Sequence, residues 1–337
     1  MKAVPDMKST YTQKYAYEIQ GNSAVIWRCF SYTKTAEIPE QIDGYPVTAL
    51  APYAFSAHMD EMELKGKSYT DGGQDCPVLC GENLEELILP ETVARVGRYC
   101  FYNCKNLEKI TFSNGLRDWG SGAFTGCHRV GHLTVYLKEK EESTLKEVLL
   151  ELPEEKTVDY IYEDGGKKQY ARLIFPEFFE EGVENTPARI LETHVHGSGL
   201  YYRNCFWHRT FNFGEYDSRF AYAAVLEEFR VLASLVEGRL RFPYKLTEDA
   251  RLRYLDYLFE KKEDFGRFFV EKKDGKALVW FVEMVLTADR SESEREKKEL
   301  LKSMTDLAVR MHFTEGVSYL MDCQHQCFKP QKKSFDL

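Results

Sequence analysis

A single offset of 23 residues constrains the N-terminal part of this chain more than any other feature. Leu84-Glu-Glu-Leu-Ile-Leu-Pro90 returns as Leu107-Glu-Lys-Ile-Thr-Phe-Ser113. The register then holds without a gap. Leu87 falls on Ile110, Leu89 on Phe112, Val93 on Leu116, Val96 on Trp119, Phe101 on Phe124 and Cys104 on Cys127. Upstream, Phe55 lies two periods before Phe101, and Ile38-Pro39 matches Leu89-Pro90 after an expansion around Asp43-Gly44. Between Phe55 and Leu84 one turn is degraded. Leu64 stays on the Leu87 register, while Gly72, Gly73 and Cys76 to Cys80 read as an inserted loop. A unit this short cannot bury an apolar face alone, so copies must stack on one another.

The pattern L-x-x-I-x-L-P, then V-x-x-I-G, then A-F-x-N/G-C resembles the BspA-like leucine-rich repeat family of bacteria. Leu84 to Cys104 and Leu107 to Cys127 carry it, with Ile38 to Phe55 as an opening repeat, so that it covers about residues 20 to 137. The resemblance implies a right-handed solenoid with one short strand per turn. Many family members are surface or secreted proteins.

Alternation within each strand places Leu87 and Leu89 inward. Phe101 and Phe124 are expected to stack as a ladder, and Cys104 and Cys127 to pack as small hydrophobes. The outward positions are Glu63 and Lys65, Glu86 and Ile88, Lys109 and Thr111, then His132 and Thr134. These are the expected contacts of a ligand. Four or five strands at ~4.8 Å span only about 20 Å. Such a face is smaller than the ~800 Å² that a folded partner buries on each side of a standard interface. A peptide, or help from neighbouring segments, is therefore expected.

The register breaks at Lys138. Ser143 precedes a short helix, and two β-rich runs flank Asp164-Gly-Gly166 as a hairpin. Ala188 to His196 reads as a third strand, and the segment as a cap on the open solenoid end. His194 and His196 share a face of that strand, with Cys205 and His208 following. Two imidazoles and a thiolate are a ligand set for zinc, or a nucleophile with its base. No spacing among them matches an established zinc motif. Tyr201, Tyr202, Arg203, Trp207 and Tyr216 form an aromatic run with an arginine, the composition of binding hot spots and of domain junctions alike.

From Tyr216 the period becomes helical. One helix is expected from Phe220 to Gly238. Others follow from Thr247, from Asp264, around Leu278 to Leu286, from a Ser291–Glu294 capping box, and from Thr314. The end, Asp306 to Met321, is similar to the terminus of an ankyrin-type or other helical repeat array. Cys323, His325 and Cys327 are spaced so that the cysteines share a helix face and the histidine leaves it.

The fold expected is α+β: a short solenoid (15–137), an α/β connector and cap (138–212), an all-helical array (213–328) and a tail (329–337). A formal charge of −9 disfavours nucleic acid and anionic membranes as partners. No stretch of about 18 apolar residues suggests a span. The first residues lack the apolar segment of a secretory leader, and nine cysteines are an odd number, which together suggest a cytoplasmic, reduced protein. No cofactor is implied. The reading is a non-catalytic protein or peptide binder that uses the repeat sheet, the aromatic junction and the groove toward the helical half. The alternative is a metal- or cysteine-dependent hydrolase around His194, His196, Cys205 and His208.

Overall fold

The computed structural model describes residues 13–70, 76–185, 190–287 and 293–328. Strands β1 (Lys14–Gln20), β2 (Ser23–Phe30), β3 (Thr35–Glu37), β4 (Gln41–Ile42), β5 (Tyr45–Leu50) and β6 (Ser68–Tyr69) open the chain. Strands β7 (Glu86–Ile88), β8 (Arg95–Val96), β9 (Lys109–Ser113), β10 (Asp118–Trp119) and β11 (His132–Lys138) carry the repeat. They alternate between two sheets. One runs β3-β7-β9-β11 and continues into the connector through β12 (Lys156–Asp164) and β13 (Lys167–Phe175). The other contains β6-β1-β2-β5-β8-β10.

The 23-residue offset sets the register. Glu86 pairs with Lys109 and Lys109 with His132, all in parallel. On the opposite wall Leu50, Val96 and Trp119 fall in one row. Between the walls Phe55, Phe101 and Phe124 stack with ring centroids 5.6 Å apart at each step. Cys104 donates its thiol to the Phe55 carbonyl at 3.2 Å, and Cys127 to that of Phe101 at 3.1 Å. Each cysteine thus satisfies a buried carbonyl of the preceding turn. Gly120 closes the motif for a steric reason: a Cβ there would lie 2.3 Å from the Arg98 nitrogen of the preceding turn.

The degraded turn departs from expectation. Glu63 lies in a 3-10 turn (Glu61–Leu64), and Lys65 just follows it; neither is on a strand. Asp60 caps the turn by accepting from the Met62 N–H, so the local hydrogen bond overrides the strand register. Strand β3 takes the vacant place, with Thr35 opposite Glu86 and Glu37 opposite Ile88. Gly72 and Gly73 lie outside the described residues.

The connector continues the repeat sheet. Strand β12 adds in parallel to β11, and β13 returns antiparallel through Gly165 and Gly166, both at positive φ. Helix α1 (Leu145–Glu151) lies after the last repeat, and Trp119 donates its indole N–H to Thr144 Oγ1 at 2.9 Å. The expected third strand is instead β15 (Ile190–His196). It pairs with β14 (Phe179–Asn185) in a separate two-stranded ribbon. Ala188 lies outside the described residues. Helix α2 (Gly199–Arg203), the short hairpin β16 (Phe206–Trp207) and β17 (Thr210–Phe211), and helices α3 (Phe213–Ser218) and α4 (Phe220–Leu226) follow. All belong to a first compact unit that ends at Glu227. The helix expected from Phe220 to Gly238 is therefore two. Glu227 and Glu228 adopt extended backbone, and the Glu227 carboxylate accepts the Ser198 N–H at 2.7 Å.

Among its described residues the second unit, from Glu228, is an array of three helical hairpins: α5 (Phe229–Arg241) with α6 (Glu248–Glu260), α7 (Lys262–Lys272) with α8 (Gly275–Thr287), and α9 (Glu294–Arg310) with α10 (Thr314–Cys327). Thr247 caps α6 through the Ala250 N–H. The capping box of α9 uses Ser293 and Glu296; Ser291 lies outside the described residues. Gly266 lets α7 approach α9, since a Cβ there would sit 3.0 Å from the Met304 sulfur. Glu237, buried on α5, pairs with Arg241 and with Lys272 Nζ, the latter at 2.8 Å.

Candidate ligand-binding face

The outward side chains of β3, β7, β9, β11, β12 and β13 form two rows across the sheet. Thr35, Glu86, Lys109, His132 and Thr157 make the first. Glu37, Ile88, Thr111, Thr134, Asp159 and Arg172 make the second. The inward neighbours Leu87, Ile110, Leu133 and Val158 are buried, so the alternation that defines the face is held by the core. Six strands at ~4.8 Å give a face about 24 Å across.

Asp159 sits at the centre of a fixed polar group. Arg172 holds it with two hydrogen bonds, Nε to Oδ1 at 2.7 Å and Nη2 to Oδ2 at 3.1 Å. His132 Nε2 lies 3.0 Å from Oδ2. Burial opposes the charge on Asp159, but the hydrogen bonds from His132 and Arg172 outweigh it and bring its pKa down to about 2. Beside this row, toward the C-terminal ends of the strands, Ile88, Thr111, Tyr136, Ile161 and Asn114 line a groove of about 270 Å³. Tyr136 is exposed there. The outward positions Glu86, Ile88, Lys109, Thr111, His132 and Thr134 come together on this face. Glu63 and Lys65 do not, because their segment is not a strand. Sequence reasoning missed Thr35, Glu37, Asp159 and Arg172. The alignment of Ile38-Pro39 on Leu89-Pro90 was the signal for the first two.

The aromatic junction divides in two. Tyr202, Arg203 and Tyr216 are buried and cannot touch a partner. Arg203 donates to six backbone carbonyls, those of Leu149, Leu152, Pro153, Glu154, Pro176 and Gly199, at 2.5–3.1 Å. That cage of six carbonyl acceptors explains why an arginine is buried there. Tyr216 packs edge-on against Tyr202, Phe175 and Phe211. Tyr201 and Trp207 remain at the surface, Trp207 at 75% exposure on the β16–β17 hairpin.

The residues of the hydrolase alternative are not assembled. His194 and His196 are exposed on the ribbon, and His196 stacks on Phe179 and meets Glu181 at 3.0 Å. Cys205 is buried, donates to the Tyr201 carbonyl at 3.3 Å, and is pushed by burial up to about 12. A thiol so placed is a poor nucleophile. His208 occupies the exposed hairpin turn at positive φ. Among the described residues, no three His, Cys, Asp or Glu side chains gather as metal ligands. Nor is any helix among them long and apolar enough to cross a membrane.

The repeat strands form two parallel walls around a stacked phenylalanine core. Residues 77–143 match the BspA type leucine rich repeat region in six copies, so the chain carries a repeat region of that family. Two solved structures are similar over part of the chain. A leucine rich cell surface protein from Faecalibacterium prausnitzii is 17% identical, with 40% of this chain and 37% of that one covered and a TM-score of 0.25. The Leucine Rich Repeat protein of T. pallidum is 17% identical, with 43% and 77% covered and a TM-score of 0.21. The chain thus spans little more than a third of the Faecalibacterium protein. No curated protein matches the sequence.

Proposed function

We propose that this chain is a non-catalytic binding protein that holds an extended protein or peptide segment across the open face of β3-β7-β9-β11-β12-β13. The observation that carries the reading is the pairing of a fixed polar centre with an adjoining apolar groove. Asp159, held by Arg172 and His132, presents oriented hydrogen-bonding groups beside the Thr111 and Thr134 hydroxyls. Ile88, Tyr136 and Ile161 offer a hollow of about 270 Å³, the scale of one or two side chains. A strand crossing about 24 Å of sheet uses roughly seven residues at ~3.3 Å each. Such a ligand suits a face too small for a broad globular interface. The buried thiols of Cys29, Cys100, Cys104, Cys127 and Cys205 fit a reducing, cytoplasmic setting for this activity.

Peptide display on the immobilised chain tests the reading. Enriched peptides are expected to bind the native chain and to lose binding to the double variant Thr111→Arg/Thr134→Arg, with circular dichroism unchanged. Equal binding to both would overturn the proposal.

A further inference from the structure

The last strand of the sheet, β13, has an open edge. Ile174 stands opposite Thr157, whose N–H bonds to Gly131 on the far side. Ile174 therefore points its own N–H and C=O away from β12, and Tyr216 takes both. By the alternation of an antiparallel pair, Tyr170 and Lys168 also point their backbone groups outward. Those groups have no backbone partner among the described residues. Three residues further along, the ribbon β14–β15 has the opposite deficit. It is a two-stranded sheet that pairs with no other described strand, a form that is marginal in water.

The connection Pro176–Phe178 is short enough for β14 to fold back on β13 of its own chain. Tyr216 occupies the first pairing position, and Phe178 is drawn to the Pro153 carbonyl at 3.1 Å. We propose that the ribbon of one chain instead adds through β14 to the β13 edge of a second copy, and reciprocally. Charge selects this pairing. Lys167 and Lys168 are exposed on the edge, and Glu180 and Glu181 on the ribbon. Two β13 edges would set lysines against lysines. The exposed Lys168–Glu163 pair at 3.6 Å is no barrier, since surface pairs exchange partners at little cost. A reciprocal contact of this kind closes on itself as a two-fold dimer.

Sedimentation velocity on the full chain, from low to high micromolar concentration, tests the proposal. The expected result is a species of twice the 39.3 kDa chain mass that weakens with added salt. Tyr170→Pro, which deletes an edge N–H, should give a monomer with an unchanged circular dichroism spectrum. Lys167→Glu/Lys168→Glu and Glu180→Lys/Glu181→Lys should each be monomeric alone and dimerise when mixed. A native chain that stays monomeric throughout overturns the proposal. So does a dimer that survives both Tyr170→Pro and Lys167→Glu/Lys168→Glu.

Discussion

The Tyr216 hydroxyl both accepts the Ile174 N–H and donates to the Ile174 carbonyl, each at 2.8 Å. One side chain from α3 thereby ends the sheet that begins in the repeats. Tyr216→Phe keeps the packing and removes both bonds, leaving two buried backbone groups unpaired. A loss of about 1–3 kcal/mol is expected, read as a lower denaturant midpoint at unchanged slope.

Arg203 should be the most sensitive position of the connector. Arg203→Met removes the guanidinium from all six carbonyls, of which that of Pro153 keeps the Phe178 N–H. The expected cost exceeds about 4 kcal/mol, in the range kept for broken buried networks. Arg203→Lys should recover only part of this, since an ammonium cannot span the same carbonyls. Thermal unfolding of both variants measures the difference.

The Asp159 carboxylate gives a signed pH dependence. Its pKa is lowered from 3.8 to about 2 in the folded chain. The stabilisation is therefore fully present above the unfolded value and is lost as pH falls from about 4 toward about 2. Asp159→Asn should be less stable than the native chain at neutral pH. The gap should close through that acidic window, as unfolding midpoints against pH would record.

The cysteines should sort by depth. Cys327 is exposed, while Cys29, Cys100, Cys104, Cys127 and Cys205 are buried. Burial raises the thiol pKa at each of these five. Brief alkylation of the native chain should label Cys327 and spare those five until denaturant is added, as peptide mass spectrometry would show.

Where a repeat tests itself against its own copies, the sequence was legible. Glu86, Lys109 and His132 stand in one row, and Phe55, Phe101 and Phe124 in one stack, as the 23-residue spacing requires. Legibility failed where a local interaction outcompeted the period. The Asp60 cap turns Glu63 out of the sheet, and the Glu227 bond to Ser198 breaks a helix whose apolar spacing is continuous. It failed again where composition leaves burial undecided. Tyr202, Arg203 and Tyr216 look like a hot spot in sequence, yet backbone carbonyls and packed rings surround them. Asp159 and Arg172 were missed because β12 and β13 extend the sheet without carrying the repeat pattern.

The most direct test of the binding face is residue-resolved amide chemical-shift mapping of the native chain with a display-selected peptide. The account predicts shifts concentrated at Ile88, Thr111, Thr134, Tyr136 and Asp159, and their disappearance in Thr111→Arg/Thr134→Arg. Saturable binding whose shifts lie elsewhere, with that face unperturbed, would contradict it.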